Sequence, residues 1–367
     1  MPEQETFEGE RLRLARVAHG LTLDELGDRI SATRQYLNQL EQGTKLPTEQ
    51  MIAALAAAVG VTPRFFGMTT KGGVRPEQCH FRKQRTTPMS VVSQVLARGT
   101  LLDGFIDALD RELELPKVSF PDIQVTSVTE IEEAAEETRR IWKLGSGPIS
   151  SMMRVVENAG AVVSFFSGVS ERVDALSIDR PRPMIIRSEA KPAAVRLRFD
   201  LAHECAHLIM HRGIETGDKA TESQANRFGS AFLLPRSSFI HEFPRGRLLN
   251  WQAIFALKLR WKVSAAAIIR RAFDLSVISA DQYRTGYIHL SKTGQKKMER
   301  YDDQIAAEEP ELLQSAMTAL EQAFPGAVRR LAAEAGLEAD MFSNVSGLML
   351  PAPTTLDTST VINFFSR

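Results

Sequence analysis

The strongest chemical signal in the sequence is a pair of histidines around a glutamate. Residues 203–207 read His-Glu-Cys-Ala-His. On an α-helix, residues four apart lie on one face, one turn from each other, so both imidazoles can reach a single zinc ion at about 2.0–2.1 Å. Glu204 lies about 100° further round the helix, where its carboxylate can act on a water held by the metal. The spacing therefore predicts a zinc site with His203 and His207 as ligands and Glu204 as the catalytic general base.

A catalytic zinc site of this kind needs a third protein ligand. Glu222 begins the next predicted helix and is the best candidate, and Asn226, one turn later, would orient a ligating histidine from behind. The alternatives to Glu222 are Glu215 and Asp218. His211 is eight residues from His203, about 12 Å along the helix axis, which is too far to share the metal. Two roles are therefore open for His211: to polarise a substrate carbonyl, or to cap the helix end.

Two segments around these residues resemble the ImmA/IrrE family of metallopeptidases. They are residues 196–211, Arg-Leu-Arg-Phe-Asp-Leu-Ala-His-Glu-Cys-Ala-His-Leu-Ile-Met-His, and residues 222–235, which begin Glu-Ser-Gln-Ala-Asn. The likeness covers about residues 80–275 and implies a zincin-like fold, zinc bound by His203, His207 and Glu222, and general-base catalysis by Glu204. It also implies a substrate, because members of the family cleave a partner transcriptional repressor, commonly of the XRE type.

The N-terminal residues carry a second motif. Residues 22–43 combine a capping-box start at Thr22 and Glu25, a short turn at Ser31-Ala32 and a Leu-Glu-Gln-Gly exit. The segment resembles the XRE family of helix-turn-helix DNA-binding domains, over residues 8–66. The resemblance implies a recognition helix that would contact DNA through Thr33, Arg34, Gln35, Asn38 and Gln39, with Arg34, Gln35 and Gln39 directed at base edges and Thr33 and Asn38 at phosphates. The alternative is a helical module reused for dimerisation or substrate docking.

Cys79 lies at the entrance to the predicted peptidase domain, in Gln-Cys-His-Phe-Arg. A thiolate is a strong zinc ligand, so Cys79 could occupy the open metal position and hold the enzyme inactive until a signal withdraws it. The alternative is a free cysteine in a loop, with His80 equally incidental. The segment around it is basic and would either supply phosphate contacts or serve as a solvated linker.

The elements that must position these residues are mainly helical. Three short β-rich runs, residues 161–167, 173–178 and 183–187, predict one small antiparallel sheet ahead of the helix that carries the metal ligands. The fold class is therefore α+β, mainly α. Four domains or segments are predicted: an all-α helix-turn-helix domain at 1–66, a basic linker or arm at 67–90, a peptidase domain at 91–280 and a helical regulatory or sensor-like region at 281–367.

Composition limits the classes of function. The 45 basic residues balance the 45 acidic residues, so no global field attracts nucleic acid or an anionic membrane, and any DNA binding should be modest and salt-sensitive. Two cysteines in 367 residues indicate a reducing compartment. The polar N-terminus does not resemble a signal peptide, and the longest apolar run is too short for a membrane span of about 20 residues. We therefore expect a cytoplasmic protein with no membrane partner.

Two functions follow from these observations. The first is a zinc endopeptidase that cleaves an XRE-type repressor and so derepresses a stress or phage-defence operon. The sequence looks most like the peptidase half of repressor–peptidase pairs associated with DNA damage signalling, for which single-stranded DNA is an expected activator. The second is a DNA-binding transcriptional regulator that uses the peptidase-like domain as a non-catalytic sensor.

Overall fold

The computed structural model describes residues 7–69, 72–81, 88–166, 168, 175–187, 193–214 and 216–352. The helices are α1 (Gly9–His19), α2 (Leu23–Ile30), α3 (Arg34–Glu41), α4 (Glu49–Val59), α5 (Met89–Glu112), α6 (Val128–Ile141), α7 (Met152–Asn158), α8 (Ala194–Met210), α9 (Lys219–Leu233), α10 (Arg236–Glu242), α11 (Trp251–Trp261), α12 (Ala265–Asp274), α13 (Ala280–Lys292), α14 (Leu312–Ala323), α15 (Ala327–Glu334) and α16 (Ala339–Ser346). The strands are β1 (Cys79–Phe81), β2 (Val162–Phe165), β3 (Ala175–Ile178) and β4 (Met184–Arg187). The predicted fold class, α+β and mainly α, is confirmed. No helix among the described residues is long and apolar enough to span a membrane.

Local capping explains where the N-terminal helices begin. The Thr22 hydroxyl accepts a hydrogen bond from the Glu25 amide, and the Glu25 carboxylate accepts one from the Thr22 amide, so the predicted capping box starts α2. Ser31 adopts a left-handed backbone, with φ of 55°, and turns the chain into α3. Thr33 caps α3 by accepting a hydrogen bond from the Tyr36 amide. These short helices and turns form a helix-turn-helix.

The sheet is mixed, and in this respect the prediction of an antiparallel sheet is wrong. The strand order is β1-β3-β4-β2, with β1–β3 and β3–β4 antiparallel and β2–β4 parallel. After β2 the chain passes to β3, which lies on the far side of β4, and returns as β4 between them. β2 and β3 are therefore not paired with each other, although they follow each other in sequence. β2 and β4 run in the same direction.

The first strand comes from the segment predicted to be a linker. Residues 79–81 pair with residues 176–178 of β3, so at least this part of 67–90 belongs to the sheet. The prediction of a linker is wrong for β1, because its backbone groups find partners on the open edge of β3. Four basic residues of the predicted arm lie outside the described residues: Lys71, Arg82, Lys83 and Arg85. A fifth, Arg75, forms an ion pair with Glu77 at 3.2 Å.

The sheet separates two hydrophobic cores. Alternate strand residues point to opposite faces, so Leu176 and Ile178 pack with α5, the N-terminal helices and α14–α16. On the other face, Val163 and Ile185 pack with the core of α6–α13. Because α8 lies against this second face, the sheet forms one wall of the site described below.

The C-terminal helices share the first core with the helix-turn-helix. Val61 forms a β-bridge with Leu337, and the Thr62 amide donates to the Gly336 carbonyl at 3.0 Å. Phe342 of α16 is fully buried and packs edge-on against Phe105 of α5, with ring centroids 4.8 Å apart. Residues 312–346 therefore join α1–α5 through a continuous apolar interface.

Candidate metal centre

The helix that carries the His-Glu-Cys-Ala-His motif is buried on all sides. It lies between the second face of the sheet and α9, and its residues from Asp200 to Met210 are inaccessible or nearly so. A helix that is apolar around its whole circumference is typical of a domain interior. The exposed fractions of His203, Glu204 and His207 are 0%, 1% and 1%, so these polar groups need specific partners.

Three side chains converge with the spacing of a metal site. The ligand atoms of His203, His207 and Glu222 all lie within 4.8 Å of one another. The two histidine Nε2 atoms are 3.1 Å apart, and the Glu222 carboxylate oxygens lie 3.4 Å from Nε2 of His203 and 3.5 Å from Nε2 of His207. Ligands about 2.0–2.1 Å from a tetrahedral zinc are about 3.3–3.4 Å from each other. The donor set and its spacing therefore fit zinc.

The capping of α9 places the third ligand. Asp218 accepts hydrogen bonds from the amides of Ala220 and Thr221, which starts the helix and puts Glu222 in its first turn. Burial alone would raise the pKa of Glu222, but the hydrogen bonds from His203 and His207 outweigh it and hold the pKa below its usual range. Asp218 is thus a helix cap rather than an alternative ligand, and Glu215 lies outside the described residues.

The outward nitrogens of both histidines are fixed by neighbouring side chains. Nδ1 of His203 lies 3.1 Å from Oδ1 of Asn226, as the sequence predicts. Nδ1 of His207 lies 2.9 Å from Nδ1 of His211, whose Nε2 lies 2.9 Å from Oε1 of Gln224. Contacts of this kind hold the ring orientation and the tautomer of a metal ligand. His211 therefore lies behind His207, a position that does not suit the substrate-polarising role. It is also the C-cap residue of α8, where its backbone N–H donates to the His207 carbonyl at 3.0 Å, so the predicted place at the helix end is confirmed.

An ion network holds α9 against its neighbours. Arg271 of α12 is fully buried and its guanidinium donates to both carboxylate oxygens of Glu132 on α6, at 2.6 and 2.7 Å. Arg227 of α9 contacts the same carboxylate and lies 3.6 Å from Asp274. Arg227 lies five residues after Glu222 on the same helix. The network therefore holds in place the helix that carries the third candidate ligand.

The sheet supplies a partner for the predicted general base. Ser177 of β3 donates a hydrogen bond from Oγ to Oε2 of Glu204 at 2.7 Å, and its own exposed fraction is 0%. Burial raises the pKa of Glu204 to about 7, against the lowering influence of His203 and Ser177. A carboxyl group with a pKa near neutrality can accept and return a proton at ordinary pH. Ser177 could not be predicted as a site residue from the sequence, because only the strand pairing brings it to Glu204.

Cys79 does not reach the metal cluster, and the prediction of an inhibitory cysteine ligand is wrong. Cys79 lies on β1 with its side chain in the first core, on the face of the sheet away from α8. Burial raises the pKa of its thiol to about 12, so the thiol stays protonated. The next residue, His80, points to the opposite face, where its ring stacks on His207 with centroids 5.2 Å apart and an interplanar angle of 10°.

A cleft of about 1190 Å³ opens beside the candidate ligand Glu222 on α9. It is bounded by α6, α8, α9, α12 and α13, and Glu222 and Asn226 form part of its wall. Apolar side chains in the lining include Val128, Phe199 and Tyr287, of which Val128 is 58% exposed. A polypeptide segment could therefore approach the cluster along this cleft.

The predicted DNA-contacting residues lie together on α3 and its cap. Arg34, Gln35 and Asn38 are exposed, Gln39 is half-buried, and Thr33 is exposed while its hydroxyl caps the helix. Nη1 of Arg34 lies 3.0 Å from the carboxylate of Asp24 on α2. The outer surface of α3 is therefore accessible in the described structure.

Comparison with known families agrees with this geometry. Residues 156–273 match the peptidase family M78 model, described as the IrrE N-terminal-like domain, and residues 9–64 match a helix-turn-helix domain. No curated protein and no solved structure gives a significant match. The chain thus combines a segment similar to the IrrE N-terminal-like domain, which contains the candidate metal-binding cluster, with a helix-turn-helix domain formed by α1–α4. The combination of these two domains, which the sequence predicts, is confirmed.

Proposed function

We propose that this protein is a zinc-dependent endopeptidase. The observation that carries the proposal is the buried cluster of His203, His207 and Glu222 next to a separately positioned carboxylate, Glu204. Zinc in this cluster would polarise the scissile carbonyl and lower the pKa of a water molecule. The match to an M78 peptidase model over 156–273 supports the same class of activity.

Several residues of the chain have separate roles in the proposed peptide hydrolysis. Glu204 accepts the proton of the attacking water and returns it to the leaving amine. Ser177 holds the carboxylate of Glu204 in place, and Asn226 and His211 hold the two ligating imidazoles. Burying Glu204 costs stability. A domain that only sensed a ligand would have no use for a carboxyl group buried next to the candidate ligands, which favours catalysis over the sensor hypothesis.

The substrate that we propose is an XRE-type transcriptional repressor, whose cleavage would release a stress or phage-defence operon. The family resemblance supports this substrate, as does the helix-turn-helix within the same chain. We further propose that a DNA-damage-related signal such as single-stranded DNA activates the protein. A second function, DNA binding by α3, is favoured by the exposure of Arg34, Gln35 and Asn38.

The experiment that tests the proposal measures zinc content and then cleavage. The purified protein is incubated with an XRE-type repressor encoded by a neighbouring gene, with and without single-stranded DNA, and products are identified by mass spectrometry. We expect zinc at one ion per chain and discrete repressor fragments. Glu204→Gln should keep zinc and lose cleavage by a factor of roughly a hundred or more. Absence of cleavage by the zinc-loaded protein under every condition, together with specific DNA binding, would instead support the regulator with a non-catalytic domain.

The matched control for Glu204→Gln is Glu157→Gln. Glu157 is also buried, with an exposed fraction of 4%, but it accepts hydrogen bonds from the amides of Glu311 and Leu312 at the start of α14. A glutamine can still accept these bonds, so cleavage should be retained. Loss of cleavage in both variants would attribute the effect to packing rather than to proton transfer.

A further inference from the structure

His80 is a polar side chain that lies beside the candidate metal ligands and is not one of them. It lies on β1, where the strand register sets it opposite Ser177 of β3. Both side chains therefore project from the same face of the sheet toward α8. Ser177 contacts Glu204, and the His80 ring stacks on the ligand His207. His80 lies outside residues 156–273, which match the peptidase family, so its position comes from a strand that the family match does not include.

One nitrogen of His80 is buried without a partner. The exposed fraction of the residue is 1%, and Nε2 has no hydrogen-bond partner among the described residues. A buried polar atom left unpaired destabilises a fold, so such an atom beside a reactive site indicates a partner that the polypeptide does not supply. The other nitrogen, Nδ1, lies 3.1 Å from the hydroxyl oxygen of Thr216, in the loop between α8 and α9.

The contact with Thr216 is compatible with a hydrogen-bond donor at Nε2. When the Thr216 hydroxyl donates to Nδ1, the proton of the neutral ring resides on Nε2, which becomes a hydrogen-bond donor.

His80 also lies outside the ligand cluster. Among the described residues, the set whose ligand atoms come within 4.8 Å of one another contains His203, His207 and Glu222 but not His80. His80 therefore lies next to the candidate ligand His207 without belonging to the ligand set.

We propose that His80 is a further catalytic residue, whose Nε2 donates a hydrogen bond to the scissile carbonyl oxygen as negative charge develops there. The proposal rests on the peptidase function proposed above. A preorganised donor at a developing oxyanion stabilises the transition state more than the ground state. Removing it should therefore lower kcat more than it raises KM.

The test compares His80→Phe, His80→Gln and Thr216→Val with the full-length wild type. For repressor cleavage, His80→Phe should lower kcat roughly ten- to hundredfold with a similar KM. His80→Gln, which keeps an N–H donor, should recover part of the loss, and Thr216→Val should give an intermediate value. Zinc content, and the visible spectrum of the cobalt-substituted protein, should match the wild type in all three. Unchanged kcat in His80→Phe would overturn the proposal, and so would an altered cobalt spectrum, since that would make His80 a ligand.

A second measurement does not depend on cleavage. Acetohydroxamate, a zinc-binding anion with oxygens near the positions of a reacting carbonyl, is titrated into each cobalt-substituted variant. We expect His80→Phe to bind acetohydroxamate roughly tenfold more weakly than the wild type. Thr216→Val should show a smaller loss of affinity. Equal affinity in all variants would overturn the role of His80 even if no substrate is cleaved. Absence of cleavage by the wild type, with the affinity difference present, would reject the peptidase proposal alone.

Cys79→Ser is the matched control for these variants. It changes the neighbouring residue of the same strand, on the opposite face of the sheet. Its cleavage rate and acetohydroxamate affinity should equal those of the wild type. If Cys79→Ser reproduced the loss seen in His80→Phe, disturbance of β1 would explain both and the proposal would fail.

Discussion

Ser177 and Glu204 are joined by a hydrogen bond of 2.7 Å between two side chains that solvent does not reach. The serine belongs to β3 and the glutamate to α8, so the bond links the sheet to the helix that carries two metal ligands. A carboxylate buried beside apolar side chains needs a donor to remain in one orientation. In the proposed peptidase the sheet would therefore have a chemical role as well as a structural one.

Replacing Ser177 by alanine removes that donor. We expect Ser177→Ala to lower the rate of repressor cleavage roughly tenfold, because the carboxylate of Glu204 is then free to turn away from the attacking water. Zinc content should be unchanged, since Ser177 does not touch a ligand. The measurement is kcat and KM for the purified variant, with metal analysis of the same sample.

A matched control exists on the same sheet. Ser164 of β2 is 2% exposed and donates a bond of equal length, 2.7 Å, to the carbonyl of Ser346, far from the metal cluster. Ser164→Ala should cleave at the wild-type rate. Wild-type cleavage by Ser177→Ala would refute the role given to that residue.

Removal of the Cys79 thiol should leave basal cleavage unchanged. The sequence left an inhibitory cysteine as one of two alternatives, and for that alternative Cys79→Ser would raise basal activity. In the structure the side chain belongs to the core on the other face of the sheet, and the pKa of its thiol is raised to about 12 by burial. The check is a comparison of cleavage without any activating DNA. A higher basal rate in Cys79→Ser would mean that the thiol reaches the metal in some state of the protein.

The cluster of candidate metal ligands could be predicted from the sequence because its parts are local. Two ligands are four residues apart on one helix, and Asp218 and Glu222 mark the start of another, so helical period and capping rules suffice. The capping box at Thr22 fixes α2 in the same way.

Ser177 and His80 could not be predicted, because their positions depend on the pairing of two short strands about 100 residues apart in sequence. A strand of three residues carries too little periodicity to be recognised. A shift of one residue in its register would exchange Cys79 for His80 at the metal. The parallel pairing of β2 with β4 escaped prediction for the same reason, since strand order is a non-local property.

Replacing Arg34 by alanine tests DNA contact by α3. The ion pair of Arg34 with Asp24 is exposed, with side-chain exposed fractions of 68% and 61%, so it contributes little to stability. We expect thermal stability within about 0.5 kcal/mol of the wild type and DNA affinity roughly tenfold lower. Fluorescence anisotropy with duplex and single-stranded DNA, at low and moderate salt, measures the effect.

Arg140→Ala is the control for this prediction. Arg140 is also exposed and pairs with an exposed carboxylate, that of Glu137, but it lies on α6, outside the helix-turn-helix. Its DNA affinity should equal that of the wild type. Equal losses in both variants would indicate a general charge effect, and no loss in Arg34→Ala would count against reading of bases by that residue.

Replacing Phe342 by alanine tests whether the C-terminal helices are integral to the fold. Phe342 is 0% exposed and its ring packs edge-on against Phe105 of α5. Removal of a fully buried phenyl ring should lower the free energy of unfolding by about 3–5 kcal/mol, through lost burial and the cavity left behind. Phe324→Ala, at a ring that is 61% exposed in the same region, should change it by less than about 1 kcal/mol. Chemical denaturation followed by circular dichroism measures both variants. If Phe342→Ala unfolded like Phe324→Ala, residues 312–346 would not share a cooperative core with α1–α5, and the apolar interface between them would contribute little to stability.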